Sequence, residues 1–332
     1  RVRRAHLPLL ACPACRAPLR LETTGEADVV DEGTLSCTGP CGGAWPILGG
    51  VPRFVPLDNV ASSFGFQWRR HAATQLDSHS GLPISETRFF NETGWPRELA
   101  GETLLEVGSG AGRFTEQALR TGATVVSVDY SRAVEANQAS NGAHPNLLLV
   151  QADIHALPVR PGAFDRVLCI GVLQHLPDPA AGFRCLPGYL RPGGHLAIDV
   201  YRRYGPGGLL MTKYWVRPFL RGVPPERLYG KVDRHVRRMW PLARALGRVP
   251  KVGRAINWNL LVADYRGALP LSEEQLLEWA VLDTFDMLSP RFDRPQTRRA
   301  VRRWFREAGL EACEVAYGYT GIYGRGRRPA AG

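Results

Sequence analysis

The feature that most constrains this fold is a glycine-rich turn held between an apolar strand and a helix. Thr103-Leu104-Leu105-Glu106-Val107 reads as a buried strand, Gly108-Ser109-Gly110-Ala111-Gly112 as the turn, and Arg113-Phe114-Thr115 as the opening of a helix. Glycines at such a turn let the backbone come within contact distance of a ligand and aim the helix N-terminus at it. In dinucleotide-binding proteins the third glycine follows the second by three residues. Here it follows by two, at Gly112, with Arg113 in the dinucleotide position. Gly112 suits close helix packing as well as ligand contact.

The segments that follow repeat the strand and helix alternation. A strand over Ala123 to Val128 ends in Asp129, followed by Tyr130, and a carboxylate there can accept both ribose hydroxyls of an adenosine. A third strand, Asn146 to Val150, leads into Gln151-Ala152-Asp153-Ile154, where Asp153 suits the adenine amino group. A fourth, Phe164 to Ile170, runs into Gly171-Val172-Leu173-Gln174-His175, and Leu190-Arg191-Pro192-Gly193-Gly194-His195-Leu196 turns into a fifth. In this order the five segments resemble the class I S-adenosylmethionine-dependent methyltransferases across residues 102 to 200. The resemblance implies an α/β fold: a seven-stranded, doubly wound, Rossmann-like methyltransferase sheet. It also implies S-adenosylmethionine as cofactor, held by Glu106, Gly108, Ser109, Gly110, Gly112, Asp129, Tyr130, Asp153, Ile154 and Gly171.

Of seven cysteines, four cluster as Cys12-Pro-Ala-Cys15 and Cys37-Thr-Gly-Pro-Cys41. Two thiolate turns about twenty residues apart can complete a tetrahedral zinc shell, and four thiolates leave no open position for water, so the metal is expected to be structural. Cys169, Cys185 and Cys313 stand alone and read as small buried hydrophobes. With Trp45-Pro46-Ile47 and Gly50-Val51-Pro52 behind it, the cysteine pattern resembles the Trm112-like zinc ribbons over residues 8 to 56. Free-standing members of that family activate methyltransferases of the translation machinery, and fused members precede other methyltransferases.

Charge adds one local fact. The chain carries +11, yet Tyr201 to Leu260 alone hold 14 cations against Glu226 and Asp233, a local +12 that leaves the other 272 residues at about −1. The cationic, aromatic and aliphatic residues of 209–220 and 232–246 recur at roughly helical spacing, which suits a lid, a phosphate-reading surface or an interfacial membrane contact through 205–250. No apolar run approaches the roughly 18 residues of a spanning helix, and Arg1 to Arg4 lead into no secretory core, so a cytoplasmic location is expected.

Two flanking phrases, Phe64-Gly65-Phe66-Gln67-Trp68 and Leu282-Asp283-Thr284-Phe285-Asp286, resemble those of bacterial methyltransferases from surface-sugar and natural-product clusters. The first implies that Gln67 and Trp68 pack over the cofactor; Asp283 and Asp286 either face the substrate or pair with nearby arginines. The Asx-Pro-Pro-aromatic motif of base-amine methylation is missing after the fourth strand, where Ile170-Gly171-Val172-Leu173 stand. The expected reaction is therefore methylation of a hydroxyl on a sugar, glycoconjugate or natural-product metabolite, with an anionic small-molecule or glycan acceptor. His175 is the candidate base, and Tyr201 and Arg202 are further catalytic candidates at the carboxyl edge of the sheet; His71 and His79 are weaker ones. RNA methylation, suggested by the ribbon and the arginines, is the competing reading, with nucleic acid not favoured as partner; a non-catalytic activator of another methyltransferase is a third. The expected divisions are a ribbon (1–56), linker and cap helices (57–100), cofactor core (101–200), cationic insertion (201–270) and C-terminal elements that complete the sheet (271–332).

Overall fold

The computed structural model describes all residues except 24–26, 58, 60, 250, 251, 320 and 332. Its main sheet has seven strands: β1 (Thr103–Val107), β2 (Thr124–Asp129), β3 (Leu147–Gln151), β4 (Phe164–Cys169), β5 (Leu190–Tyr201), β6 (Glu311–Tyr317) and β7 (Gly321–Arg327). They lie in the order β6-β7-β5-β4-β1-β2-β3. The first five strands are parallel, and β7 runs antiparallel between β5 and β6. Chain order reverses at β1, between β2 and β4, and the crevice beyond the carboxyl ends of strands at such a reversal is where open α/β sheets hold ligands.

The near-continuous apolar runs of β1 to β4 follow from burial on both faces. One face carries Leu104, Val125, Leu147 and Leu149 against Phe89 of α2 (Ile84–Thr93), Phe114 of α3 (Arg113–Arg120) and Val134 of α4 (Val134–Asn141). The other carries Leu105, Val126 and Leu148 against Phe183 of α5 (Pro179–Cys185) and Phe305 of α10 (Arg298–Glu307).

A separate helical core caps the carboxyl edge. Leu228, Val232, Val236, Trp240 and Ala243 make one stripe along α7 (Pro225–Leu246), at the spacing of a single helix face, and pack on Leu276, Trp279, Ala280 and Phe285 of α9 (Glu273–Leu288). The start of α9 is fixed by a capping box between Ser272 and Gln275. Three more helices belong to this layer or border it: α1 (Ser62–Arg70), α6 (Thr212–Leu220) and α8 (Gly253–Asn259). The expected division at 270/271 runs through this core, because α9 packs with the cationic insertion and only the residues after it complete the sheet. Likewise the segment 57–100 is more than a cap, since Phe89, Trp95 and Leu99 belong to the core of the sheet.

The N-terminal ribbon is a four-stranded antiparallel sheet of Leu19–Glu22, Gly33–Cys37, Ala44–Leu48 and Val51–Pro52. It is joined to the larger domain by backbone pairing: Phe54 N donates to Gln151 O (2.8 Å), Ala11 N to Pro158 O (3.0 Å) and Arg160 N to Leu9 O (2.8 Å). Arg53 pairs in parallel with Gln151, and its Nη1 donates to the Gln151 side chain at 3.0 Å. The ribbon thereby covers the edge strand β3, an edge that would otherwise offer unpaired amides to another chain. Val2, Leu10, Leu35 and Ile47 of the ribbon share one apolar core with Leu148, Leu157 and Val159.

A shared core predicts shared melting. Leu35→Ala, at a fully buried ribbon position, is expected to cost about 2–5 kcal/mol. Calorimetry should show one transition at a lower temperature, with no separate early melting of the ribbon.

Candidate active site and metal centre

Cys12, Cys15, Cys37 and Cys41 converge, as two turns of the ribbon, with their sulfurs all within 4.8 Å of one another. The Cys12–Cys41 and Cys15–Cys37 separations are 3.3 Å, and Cys15–Cys41 is 3.5 Å. A zinc ion with Zn–S bonds near 2.3 Å needs sulfur separations of about 3.8 Å, so the four thiols fit the ion with small shifts. Arg16 closes the first turn with φ at 64°, its N–H donating to Cys12 O at 3.0 Å, and the Gly39 N–H donates to Cys37 Sγ at 3.2 Å. The backbone N–H of Ala17, and then the neighbouring thiols, pull the Cys15 thiol down to about 6.

At the carboxyl end of β1 the glycine turn folds back on β2. Gly108 N and Ser109 N both donate to Val128 O, at 2.7 and 3.1 Å. Asp129 ends β2 with Oδ2 accepting from Gly110 N (2.8 Å) and Oδ1 accepting from Ser131 N and Oγ (2.8 and 2.7 Å). Burial nonetheless pushes its carboxyl above the ordinary value. Oδ2, with a single donor, retains a lone pair that a ribose hydroxyl can use.

Gly108, Gly110 and Gly112 all have positive φ (83°, 54° and 93°), a region that disfavours any side chain. They differ in what a side chain would meet. At Gly108 it would strike Val172 and at Gly110 the indole of Trp68, both at the crevice, whereas at Gly112 it would strike Asn137 of α4. Gly112 was expected beside the cofactor; its open side is taken by helix packing, with Asn141 Nδ2 donating to its carbonyl at 3.1 Å.

Glu106 is similarly displaced from its expected role. Its carboxylate lies beneath the turn, accepting from Thr115 and from Ser127 (2.9 Å), and burial raises its pKa to about 7 despite those donors. Ile154 has its side chain in the core behind β3, while Asp153 caps the following turn by accepting from His155 N at 2.9 Å. Tyr130 is half-buried, and its carbonyl accepts from Asn59 Nδ2 (2.7 Å) and Gln151 Nε2 (3.1 Å).

Helix α1 crosses the crevice. Trp68 lies on Gly110, Gly65 on the backbone of Arg132, and the Phe64 ring meets His175 edge-on at 5.0 Å. Gln67 is fully buried, with Nε2 donating to Asp286 Oδ1 at 3.2 Å and Oε1 unpartnered. Phe66 turns away to Tyr229 and Phe285 in the helical core. Two further buried groups at the carboxyl ends are unpartnered: Ser109 Oγ, and both side-chain polar atoms of Gln174. A built crevice with orphaned polar atoms, open space beside Gly171 and a carboxylate at Asp129 fits a nucleoside-bearing cofactor such as S-adenosylmethionine.

His175 and Tyr201 come together, their rings edge-to-face at 5.4 Å. His175 Nδ1 lies 3.2 Å from Phe292 O. A carbonyl only accepts, so Nδ1 is the donor in this contact and Nε2 is the nitrogen left to take a proton. Tyr201 donates to Asp286 Oδ2 at 3.1 Å, and burial first, then the Asp286 and Asp283 charges, hold its phenol well above the usual range. It is thus a neutral wall and donor.

Arg202, expected on an anionic substrate, points the other way along the strand alternation. It is exposed, its guanidinium 4.3 Å from the Tyr317 ring centre and 5.3 Å from that of Tyr204. His79 is exposed, and His71 is buried between Thr74 (3.2 Å) and Tyr229 (2.9 Å). Asp283, raised to about 7 chiefly by burial, accepts from Tyr265 and from Gln75 Nε2 (3.3 Å).

Sequence reasoning missed the charge network behind the site. Asp199 of β5 is 1% exposed and accepts from Arg88 of α2 and from the Gly171 N–H; Arg88 also pairs with Glu92 at 3.4 Å. The available signal was a lone acid inside the apolar run Ala197-Ile198-Asp199-Val200.

Residues 105–198 match a family model described as a methyltransferase domain, and residues 3–50 match one described as a Trm112p-like protein. The chain is 31% identical over 182 residues to a ubiquinone biosynthesis O-methyltransferase of Ralstonia nicotianae, covering 50% of this chain and 71% of that relative. It is 34% identical over 110 residues to the Xanthomonas euvesicatoria enzyme of the same name, covering 32% of this chain and 46% of that relative. The chain thus spans under half the length of the second relative. Among solved structures, a complex between the Haloferax volcanii Trm112 methyltransferase activator and a methyltransferase aligns with 82% of this chain and 100% of its own, at 14% identity and a TM-score of 0.47.

Two measurements follow. Glu106→Gln removes a carboxyl whose ionisation is suppressed from the ordinary 4.5 to about 7. The wild type pays nothing for this group below pH 4.5 and loses stability as pH rises through 7. Urea midpoints should therefore show the variant gaining about 1–3 kcal/mol over wild type between pH 5 and 8. Cys15→Ser, or prolonged chelation, should abolish bound zinc by atomic absorption and lower the melting temperature of the whole chain.

Proposed function

Since the chain belongs to the S-adenosylmethionine-dependent methyltransferases, we propose that it methylates a hydroxyl oxygen, carried by a sugar, glycoconjugate or natural-product metabolite of anionic character. Oxygen as the acceptor atom is supported by the missing base-amine motif and by the name of the Ralstonia relative. The anionic character rests on the cationic excess of 201–260 as a segment, since Arg202 faces away from the pocket and Lys213 and Arg217 are paired internally. The observation that carries the reading is the tautomer of His175: with Nδ1–H on Phe292 O, its Nε2 is free to accept a proton beside the Tyr201 and Phe64 rings.

S-adenosylmethionine, when bound, supplies an electrophilic methyl group on a sulfonium and a neutral thioether leaving group. In this reading Asp129 holds the ribose, Asp153 the adenine edge, and the Gly108 and Gly110 backbone the methionine end, with Ser109 Oγ and Gln67 Oε1 taking up polar atoms there. Gly171 lines the same cavity, positioned by Asp199 through its N–H. His175 takes the hydroxyl proton as the oxygen attacks, and the aromatic walls exclude water from the line of attack. Tyr201 orients the acceptor through its ring and fixes Asp286. The ribbon's zinc, on four thiolates, serves folding.

Calorimetry with S-adenosylhomocysteine tests the cofactor assignment: Asp129→Ala should weaken binding tenfold or more, and unchanged binding would remove the assignment. His175→Ala should bind S-adenosylhomocysteine as wild type does. It should lower kcat toward a hydroxyl acceptor by roughly 10²–10⁴. Radiolabelled cofactor offered total RNA and a panel of hydroxylated metabolites discriminates the acceptors, since label in RNA that vanishes steeply with salt would replace the metabolite reading.

A further inference from the structure

Helix α6 is amphipathic the wrong way round for a protein that meets only water. Its polar residues face inward: Lys213 Nζ bonds Asp293 at 2.9 Å, and Arg217 donates to Met287 O (2.8 Å) and Pro290 O (2.7 Å). Its large apolar residues face out, with Trp215 65% and Phe219 84% exposed, and Leu210 just before it 80% exposed. Thr212 N donates to Asn259 Oδ1 at 3.2 Å, which ties α6 to α8. Thr212 lies one turn before Trp215 and Asn259 one turn after Ile256, so the bond sets two apolar rows side by side. Val252 and Ile256 extend the patch at 52% and 41% exposure.

The surroundings of this patch are cationic. Arg221 closes α6, and Arg248 and Arg254 flank Val252 in the chain, all three exposed; the segment 201–260 offers in return only Glu226 and Asp233, the latter bonded by Arg237 at 2.8 Å. Aromatic and aliphatic side chains that protrude from a cationic rim match the boundary of an anionic bilayer, where the apolar tips enter the acyl region and the guanidinium groups meet phosphates. The same charge opposes a second copy of the chain, because a two-fold contact through this face would bring like charges together. A nucleic acid would satisfy the arginines and leave Phe219 and Leu210 in water. Among the described residues no helix is long and apolar enough to cross a membrane, so the contact is interfacial.

We propose that the face formed by Leu210, Trp215, Phe219, Val252 and Ile256, with Arg221 and Arg254 at its rim, docks the protein on the surface of an anionic lipid bilayer. Directly behind that face lie the end of α9 and the loop after it, residues 287–293, which Lys213 and Arg217 hold and whose Phe292 carbonyl fixes the His175 ring. Docking therefore brings one wall of the acceptor pocket to the bilayer surface. The proposal does not depend on which atom is methylated.

The test is co-sedimentation of the full chain with phosphatidylcholine vesicles and with vesicles that are one quarter phosphatidylglycerol. Binding to the anionic vesicles alone, weakened by salt, is expected. Phe219→Glu and Leu210→Glu should each reduce it roughly tenfold, while Phe219→Trp retains it. All three variants should keep the wild-type melting temperature and S-adenosylhomocysteine affinity, because the positions are exposed. The proposal is overturned if the wild type ignores lipid composition, or if Phe219→Glu binds vesicles as well as wild type. It is equally overturned by a wild-type dimer that Phe219→Glu dissociates, or by RNA retention that needs Arg221 and Arg254 but is indifferent to Phe219→Glu.

Discussion

The buried charge on Asp199 is the constraint around which the pocket is assembled. A carboxylate taken out of water at 1% exposure is tolerated only with a counter-charge and donors, and here they come from two other parts of the chain. Arg88 reaches it from α2, before the sheet begins, and the Gly171 N–H reaches it from the turn after β4. One acid on β5 thus pins an N-terminal helix and a cavity-lining turn to the same strand. Glu92, packed against the same guanidinium, is raised to about 7 by its burial and then by Asp199, so the cluster holds two acids on one base. Removing Arg88 would leave an uncompensated charge in the centre of the molecule, and this explains why α2 belongs to the sheet's core.

The ribbon acts on the same sheet from the opposite side. Its backbone bonds to Gln151, Pro158 and Arg160 end the sheet at β3, and its apolar residues fill the face below. The four converging cysteines fit a zinc ion that, when bound, would give a module of some fifty residues the rigidity that its few core residues cannot, and the larger domain supplies the rest. In this chain the ribbon is a fixed wall of the methyltransferase domain.

Much of this was legible in the sequence where one residue type meets one physical demand. Glycines with positive φ, a carboxylate at the end of β2, and paired cysteines are such cases, and the first four parallel strands lie within a residue of their expected positions, while the expected turn at Leu190–Leu196 is itself the start of β5. What stayed hidden depends on which way a side chain turns after long-range packing. Gly112 has the same backbone freedom as Gly110, but α4 occupies its open side. Arg202 neighbours Tyr201 in sequence, but strand alternation sends it to the surface. Lys213 and Arg217 count toward the cationic excess, yet they are spent internally on a carboxylate and two carbonyls. The helical cap was legible as amphipathic, and only the fold reveals which of its stripes faces out.

Helix α1 touches both halves of the crevice within a single turn and a half: Trp68 lies on the glycine turn, Gln67 reaches the Asp286 that Tyr201 also holds, and Phe64 meets His175. One short helix thus holds both halves, since the adjacent Gln67 and Trp68 point to different ones. A substitution that displaced this helix would therefore disturb both halves of the crevice at once.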